Sequence, residues 1–441
     1  MLLPTPRLAA LLIGGAAVFA VGVVVDAARF LGIWIDVALA AAALADAALC
    51  PRRRQFEITR AAPARVGRGE GLAVETTIRR KLGFLETLLD RREDAPPSFI
   101  PVAAAGSPAG ATRVRPGESL VLRSLWRPAE RGVFVLSGVA FRALSPLRLF
   151  VSQWQDSLAV PIEVDPQPRG VERGILAVRT WLQQQGSRPV RLRGRASEFE
   201  QLRDHVEGDE FRAMDWKATA RRGIPTVREY RTERNREVSI LLDVGRRMSS
   251  RFLGESKCDA ALEAALGLAR VALEAGDRVG FLTFASTPQL DVPARRGKPH
   301  YRAIFEAARH AATLPLESSL TAALRYHRAR HRKRSFFLVL TDLPDPITAR
   351  RATPALAAAA RRHQVFFVAI DDPQRRALEE AAVAVPEDAY VVAAARRLQR
   401  ERVEVLAGLR RAGIACADLL PNEISGAVVD EYLEAAAGEE F

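Results

Sequence analysis

Residues 197–234, SEFEQLRDHVEGDEFRAMDWKATARRGIPTVREYRTER, run directly into the apolar stretch Val238-Ser-Ile-Leu-Leu-Asp243. The first part is dense in charge and holds one tryptophan, Trp216. A segment this polar cannot form a core by itself, yet its apolar and aromatic residues recur too regularly for a loose tail. It reads as an ordered arm, residues 197–236, clamped by Trp216 to the domain that follows. The apolar run after it, residues 238–244, reads as a buried strand.

From that strand onward the rhythm alternates between strands and helices. Ser256-Lys-Cys-Asp259 starts a helix with a capping box, and Leu262, Leu266, Ala269 and Leu273 repeat at helical spacing until Gly276. Strands are expected over residues 279–284, 336–341, 365–370 and 414–420. Helices are expected over 301–312, 355–362, 396–412 and 425–437. This predicts an α/β domain over residues 237–441, a doubly wound parallel sheet with helices on both faces. Such sheets bind ligands outside the carboxyl ends of their strands, where Asp243, Thr341-Asp342 and Asp371-Asp372 gather.

Upstream the period is two. Leu72, Val74, Thr76 and Ile78 alternate with Ala73, Glu75, Thr77 and Arg79, and turns fall at Pro116-Gly117 and Arg131-Gly132. Residues 55–166 therefore read as a β-sandwich-like domain, a spacer or docking module without a catalytic cluster. Residues 167–196, rich in Arg, Gln, Gly and Pro, read as a linker with one short helix near 178–185.

Residues 1–54 read as a membrane anchor with two transmembrane helices, 8–25 and 30–50. The first run is uncharged and of spanning length, with a cleaved signal peptide as its rival. The second carries Asp36 and Asp46, each costly near a bilayer centre, and ends on Pro51-Arg52-Arg53-Arg54. By the positive-inside rule those arginines place the rest of the chain in the cytoplasm. The scattered cysteines Cys50, Cys258 and Cys416 suit a reducing compartment and exclude a disulfide framework or zinc ribbon. The 441 residues carry a formal charge of +13. No compact basic run with interleaved aromatics occurs, so the charge reads first as a solvated arginine-rich surface.

The pattern EFEQLRDHVEGDEFRAMDWKATAR closely resembles the signature of the family called domain of unknown function 58. Glu198, Phe199, Arg203, Gly208, Asp209, Arg212, Asp215, Trp216, Arg221 and Arg228 are the arm positions singled out. The segment RGVFVLSGVAFRALSPLRLF resembles that family's turn-strand-turn pattern, with departures at two positions of its last six residues, 145–150. The resemblance implies a bacterial inner-membrane protein with a von Willebrand A-like domain, accompanied by a MoxR-class AAA+ ATPase.

The fold so implied usually binds a divalent ion through Asp-x-Ser-x-Ser, a Thr and a further Asp. Asp243 and Asp342 match the first and last positions, and Ser318 stands in for the Thr. Gly245 and Arg247 replace the two serines, which removes oxygen ligands that magnesium needs. A guanidinium at Arg246 or Arg247 would pair with the aspartates instead, so no metal or other cofactor is expected. Asp243, Arg246, Arg247, Ser318, Asp342 and Asp345 are then candidates for a partner-binding edge.

No nucleophile elbow, P-loop, HExxH or catalytic Cys/His signature occurs. The expected function is a non-catalytic, membrane-anchored scaffold or adaptor. Two alternatives stay open. One is a membrane-tethered nucleic-acid or anionic-lipid binder using Arg221, Arg222, Arg228, Arg231, Arg234 and Arg236. The other is a hydrolase centred on His205 and Asp209, within the cluster Asp204, His205, Glu207, Asp209 and Glu210.

Overall fold

The computed structural model describes residues 1–21, 26–102, 111–168, 171–185, 197–206, 214–232, 236–252, 254–331, 333–342, 346–382 and 384–437. The chain divides into two units, Met1–Gln167 and Pro168–Phe441.

The C-terminal unit is built on a six-stranded sheet. Its strands are β1 (Glu237–Asp243), β2 (Arg278–Phe284), β3 (Pro288–Arg295), β4 (Phe336–Thr341), β5 (Gln364–Ile370) and β6 (Ala415–Leu419), in the order β3-β2-β1-β4-β5-β6. All neighbours pair in parallel except β2 and β3. The central strand β1 is buried at every position, so its side chains feed two cores in alternation. Val238, Ile240 and Leu242 face helices α1 (Lys257–Glu274), α2 (Lys298–Ala308) and α7 (Ile424–Ala437). Leu241 shares the opposite core with α3 (Leu320–Arg330), α4 (Pro346–Ala360) and α6 (Pro386–Arg411). The result is a three-layer α/β/α unit, in which each buried aliphatic or aromatic side chain contributes about 1.5–3 kcal/mol.

Three elements depart from expectation. The stretch read as a linker opens with a helix, Val171–Gln185, whose Val171 and Val178 lie in the core beside α1 and α7. Its apolar face outweighs a composition that looked like linker; residues 186–196 lie outside the described residues. Strand β3 is an edge strand beginning at Pro288, where a missing N–H costs nothing. The arm forms an antiparallel hairpin, Ser197–Asp204 with Thr226–Thr232, enclosing a short helix, Trp216–Arg222.

The N-terminal unit opens with two helices, Pro6–Val21 and Asp26–Leu49. They pack closely, and a Cβ on Gly32 would lie 3.0 Å from the Cα of Phe19. Sixteen helical residues span about 24 Å, short of a hydrocarbon core of about 30 Å. Among the described residues only the second helix holds a window, Gly32–Leu49, long and apolar enough to cross a membrane. Among the described residues, spanning length belongs to the second apolar run; residues 22–25 of the first lie outside them. Both acids of that window turn inward. Asp36 lies over Gly15, and the buried Asp46 accepts from Ser145 Oγ (2.5 Å), Leu147 N (2.8 Å) and Leu149 N (3.1 Å).

Beyond the helices the unit is a β-sandwich. A four-stranded sheet (Phe56–Ala61, Leu72–Arg80, Ser119–Pro128, Phe99–Val102) packs on a five-stranded one through Phe56, Ile58, Ile78 and Leu122 against Leu89, Val139 and Phe141. A three-stranded sheet (Arg65–Gly67, Val160–Asp165, Gly132–Leu136) covers the far part through Leu136, Ile162 and Val164. One carboxylate is buried inside. Glu93 accepts from Trp126 Nε1 (2.9 Å) and Ser124 Oγ (3.0 Å), and faces the Arg60 and Arg91 guanidiniums at 3.5 and 3.3 Å.

Removing that carboxylate leaves two desolvated guanidiniums without a counter-charge. Glu93→Gln is expected to destabilise the sandwich by about 3–5 kcal/mol. Hydrogen exchange of the full chain would show lost protection in Phe56–Ala61 and Thr87–Asp94. The strands of the C-terminal unit serve as an unchanged internal reference.

Candidate carboxyl-edge site

Asp243 ends the central strand and is 2% exposed. Its Oδ1 accepts from Gly245 N (2.8 Å) and Ser318 Oγ (2.5 Å), and its Oδ2 accepts from Thr341 Oγ1 (2.5 Å). Three loops are thereby tied to one carboxylate. Burial raises its pKa, and the three hydrogen bonds offset that only in part. Gly245 is a steric requirement here, because a Cβ would stand 2.0 Å from Ser318 Oγ and 2.9 Å from Leu316 O.

Beside it lies a network of ion pairs. Lys257, the first residue of α1, sends its ammonium to Asp342 Oδ2 (3.2 Å) and Asp372 Oδ2 (3.6 Å). Arg402 of α6 bonds Asp342 Oδ1 (3.2 Å) and Asp418 Oδ1 (2.7 Å), and stands 3.9 Å from Asp371. Asp371 is fully buried and gripped by Arg375 at 2.7 Å and Arg376 at 3.2 Å. Burial acts to raise Asp371, but the Arg375 hydrogen bonds and the Arg402 charge outweigh it and hold the carboxyl below the usual range. Desolvation acts to lower Arg402, and its three aspartates reverse that. Asp372 caps helix Pro373–Glu379 through Gln374 N (2.9 Å) and accepts from Ser250 Oγ (2.7 Å).

The structure thus gathers Asp243, Gly245, Ser318 and Asp342 at one edge, as their spacing predicts. Among the described residues, the ion pairs of Arg246 and Arg247 go to Glu317. Arg246 pairs closely with Glu317, and Arg247 stands 3.9 Å from the same carboxylate; all three side chains are exposed. The inward cations are Lys257 and Arg402. Lys257 was hidden inside the capping box. Arg402 carried a readable signal, since Ala395, Arg402, Leu406 and Leu409 share the buried face of α6. Asp345 lies outside the described residues.

On the arm, Asp215 caps helix Trp216–Arg222, accepting from Lys217 N and Ala218 N at 3.0 Å. Trp216, expected as an anchor, is 57% exposed. Arg221 and His205 are exposed. Glu198, Phe199, Arg203, Arg228 and Arg231 lie on the hairpin strands, with side chains outside the described residues. Glu207, Gly208, Asp209, Glu210, Arg212 and Arg234 also lie outside them, as does the side chain of Arg222. Arg236 is half-buried.

At the opposite, amino end of the sheet three histidines cluster. His327 stacks on His331 (4.4 Å between centroids) and packs on Phe337 and His363. His331 Nδ1 meets Glu237 Oε1 at 3.2 Å, and His363 Nδ1 meets Ser335 Oγ at 2.9 Å. Burial, with His331 and His363 nearby, lowers the His327 pKa to about 3. Below the ordinary histidine value the unfolded chain therefore binds more protons than the folded one, so stability rises with pH in that window. The His327 contribution is complete above about pH 6.5 and falls by about 1.4 kcal/mol per unit below it. Urea unfolding of His327→Leu and the parent at several pH values should show a gap that widens toward acid.

Uncharacterized proteins of Mycobacterium tuberculosis and Mycobacterium bovis are 29% identical over 170 residues, 37% of this chain and 53% of each relative. The match spans about half the length of those relatives. Among solved structures, the conserved hypothetical protein BatB from Bacteroides thetaiotaomicron is 14% identical. That alignment covers 46% of this chain and 100% of BatB, with a TM-score of 0.28. An aerotolerance-related membrane protein from Bacteroides fragilis is 15% identical, covering 31% of this chain and 67% of that one, with a TM-score of 0.24. Residues 201–412, from the arm through α6, match the family described as protein of unknown function DUF58. Residues 201–412 of this chain are thus similar to the DUF58 family.

Proposed function

We propose that this chain is a non-catalytic, membrane-anchored adaptor. Its C-terminal domain is read as von Willebrand A-like, and its partner as an AAA+ ATPase of the MoxR class. The observation that carries the reading is the closure of the carboxyl edge. Where such a sheet would hold a ligand, the carboxylates are already engaged by Lys257, Arg402, Arg375 and the hydroxyls of Ser318, Thr341 and Ser250. Arg246, Arg247 and Glu317 point outward beside it. An edge saturated within and charged without suits a protein partner better than a substrate or an ion.

The two N-terminal helices would cross a bacterial inner membrane as a hairpin. Arg52, Arg53 and Arg54 follow the second helix and favour a cytoplasmic position for both units. The MoxR partner rests on the family resemblance; the ATPase would supply hydrolysis, and this chain would recruit it or receive its work.

The closed edge is proposed to work without a metal. A divalent ion would have to displace Lys257 from Asp342 and Asp372. Millimolar magnesium is accordingly expected to leave the thermal midpoint of the parent unchanged and to raise that of Lys257→Ala. Stabilisation of the parent by magnesium would overturn this part of the reading.

The partner is tested by detergent extraction of the full chain from its native cells, with and without ATP, followed by affinity capture. Recovery of one AAA+ ATPase near stoichiometry is expected, reduced about tenfold or more by Arg246→Glu with Arg247→Glu. Both arginines are exposed, so the variant keeps the fold. Absence of any ATPase in either nucleotide state would sink the adaptor reading.

A further inference from the structure

The sandwich carries an exposed apolar loop at one end, and the backbone shows which end it is. Strand Phe56–Ala61 begins seven residues after Leu49 closes the second helix, and Phe56 pairs with Arg80. Lys81 N donates to Gln55 O at 2.8 Å. The loop 82–86 therefore starts beside the helix exit. Its tip at residue 84 lies three residues on, a reach of at most about 10 Å. Phe84 is 100% exposed there, with Leu82 at 63% and Leu85 at 50%.

This loop is built, not slack. The Arg80 guanidinium donates to Leu82 O (3.1 Å), to Leu85 O and to Thr87 Oγ1 (2.6 Å). It occupies the space a Cβ at Gly83 would need, and Gly83 adopts φ 125°. Gripping the carbonyls from below leaves the three apolar side chains pointing away from the sandwich. A second loop stands at the same end. Asp46, three residues before the helix closes, holds Leu147 N, and Leu147 is 56% exposed. Exposed basic residues lie beside these tips in the chain: Arg52 and Arg54 after the helix, Lys81, and Arg148 next to Leu147. Two acids accompany them, Glu57 paired with Lys81 at 3.2 Å and Glu86 of the loop facing Arg113 and Arg115 at 3.7 and 3.8 Å, so basic residues outnumber acids here.

Apolar tips with a net excess of arginine and lysine beside them, close to the exit of the helix read as spanning, match the chemistry of an anionic headgroup layer. We infer that the loops carrying Phe84 and Leu147 rest in the interface of an anionic bilayer and fix the sandwich against the membrane surface. This rests on the reading of the two N-terminal helices as the anchor.

The test uses the full chain reconstituted in phosphatidylcholine vesicles, with and without phosphatidylglycerol. An environment-sensitive fluorophore is attached in turn to Phe84→Cys, to Ile33→Cys within the span, and to Val133→Cys at the far end of the sandwich. The native thiols, buried at Cys50 and Cys258 and half-buried at Cys416, are controlled by labelling the parent. At residue 84 iodide quenching should fall several-fold relative to residue 133, more so with phosphatidylglycerol. Spin-labelled lipids with a shallow probe should quench it more than lipids with a deep one. If residue 84 stays as open to iodide as residue 133 while deep lipid quenches residue 33, the loop proposal is wrong and the anchor stands. Should residue 33 also escape lipid quenching, the anchor falls and the proposal with it. Shielding at residue 84 without lipid quenching would mean a protein covers the loop, and would equally overturn it.

Discussion

The carboxyl edge of the C-terminal sheet is organised by one ammonium group, that of Lys257, held between Asp342 and Asp372. Parallel strands bring the ends of β1, β4 and β5 together, and each of those ends carries aspartate. Such a row repels itself unless cations enter it. Lys257 does so from the first turn of α1, where the helix dipole disfavours positive charge by about 0.3–1 kcal/mol. The capping box of Ser256 and Asp259 fixes the turn against that cost. Arg402, arriving from α6, neutralises the remaining side of Asp342 and joins it to Asp418.

Much of the layered architecture was legible because buried parallel strands are short apolar runs and their helices keep a 3.6-residue period. Residues 336–341 were read with the bounds the structure has, and the capping box at Ser256 is present as read. What escaped notice had mixed signals. In α3 the buried face is Leu320, Ala323, Leu324 and His327, and a histidine on it masks the stripe. In β3 a proline start and half-buried positions hide an edge strand. Helix Val171–Gln185 was obscured by its arginine and glutamine content, although it buries Val171 and Val178.

The site was legible in its anions and not in its cations. Aspartates at strand ends are placed by topology, so position in the sequence suffices to gather them. A cation reaches a site along a long flexible stem from elements distant in sequence, as from residue 402 to residue 342, so local spacing can show that Arg402 is on a buried face but not which carboxylates it meets. Gly245 shows the same limit. The missing serine looks like a deleted ligand, yet the space it leaves is filled by Ser318 Oγ, bonded to the same aspartate. The hydroxyl is retained near Asp243 but supplied by another loop. The nearby arginines engage Glu317 at the surface.

A tethered cation and a bound ion neutralise carboxylates at different costs. An ion leaves the protein's stability dependent on its concentration through mass action. A lysine removes that dependence and instead loses up to about 2 kcal/mol of side-chain entropy on ordering. The N-terminal unit uses the same solution, with Arg60 and Arg91 around the buried Glu93. At the carboxyl edge the consequence is functional. In the proposed reading, a partner at this edge would meet the loops that remain outside the ion-pair network. Those are the loops bearing Arg246, Arg247 and Glu317, which hang from Asp243 through Gly245 and Ser318. A contact made on them would reach the end of the central strand through hydrogen bonds to a single buried carboxylate.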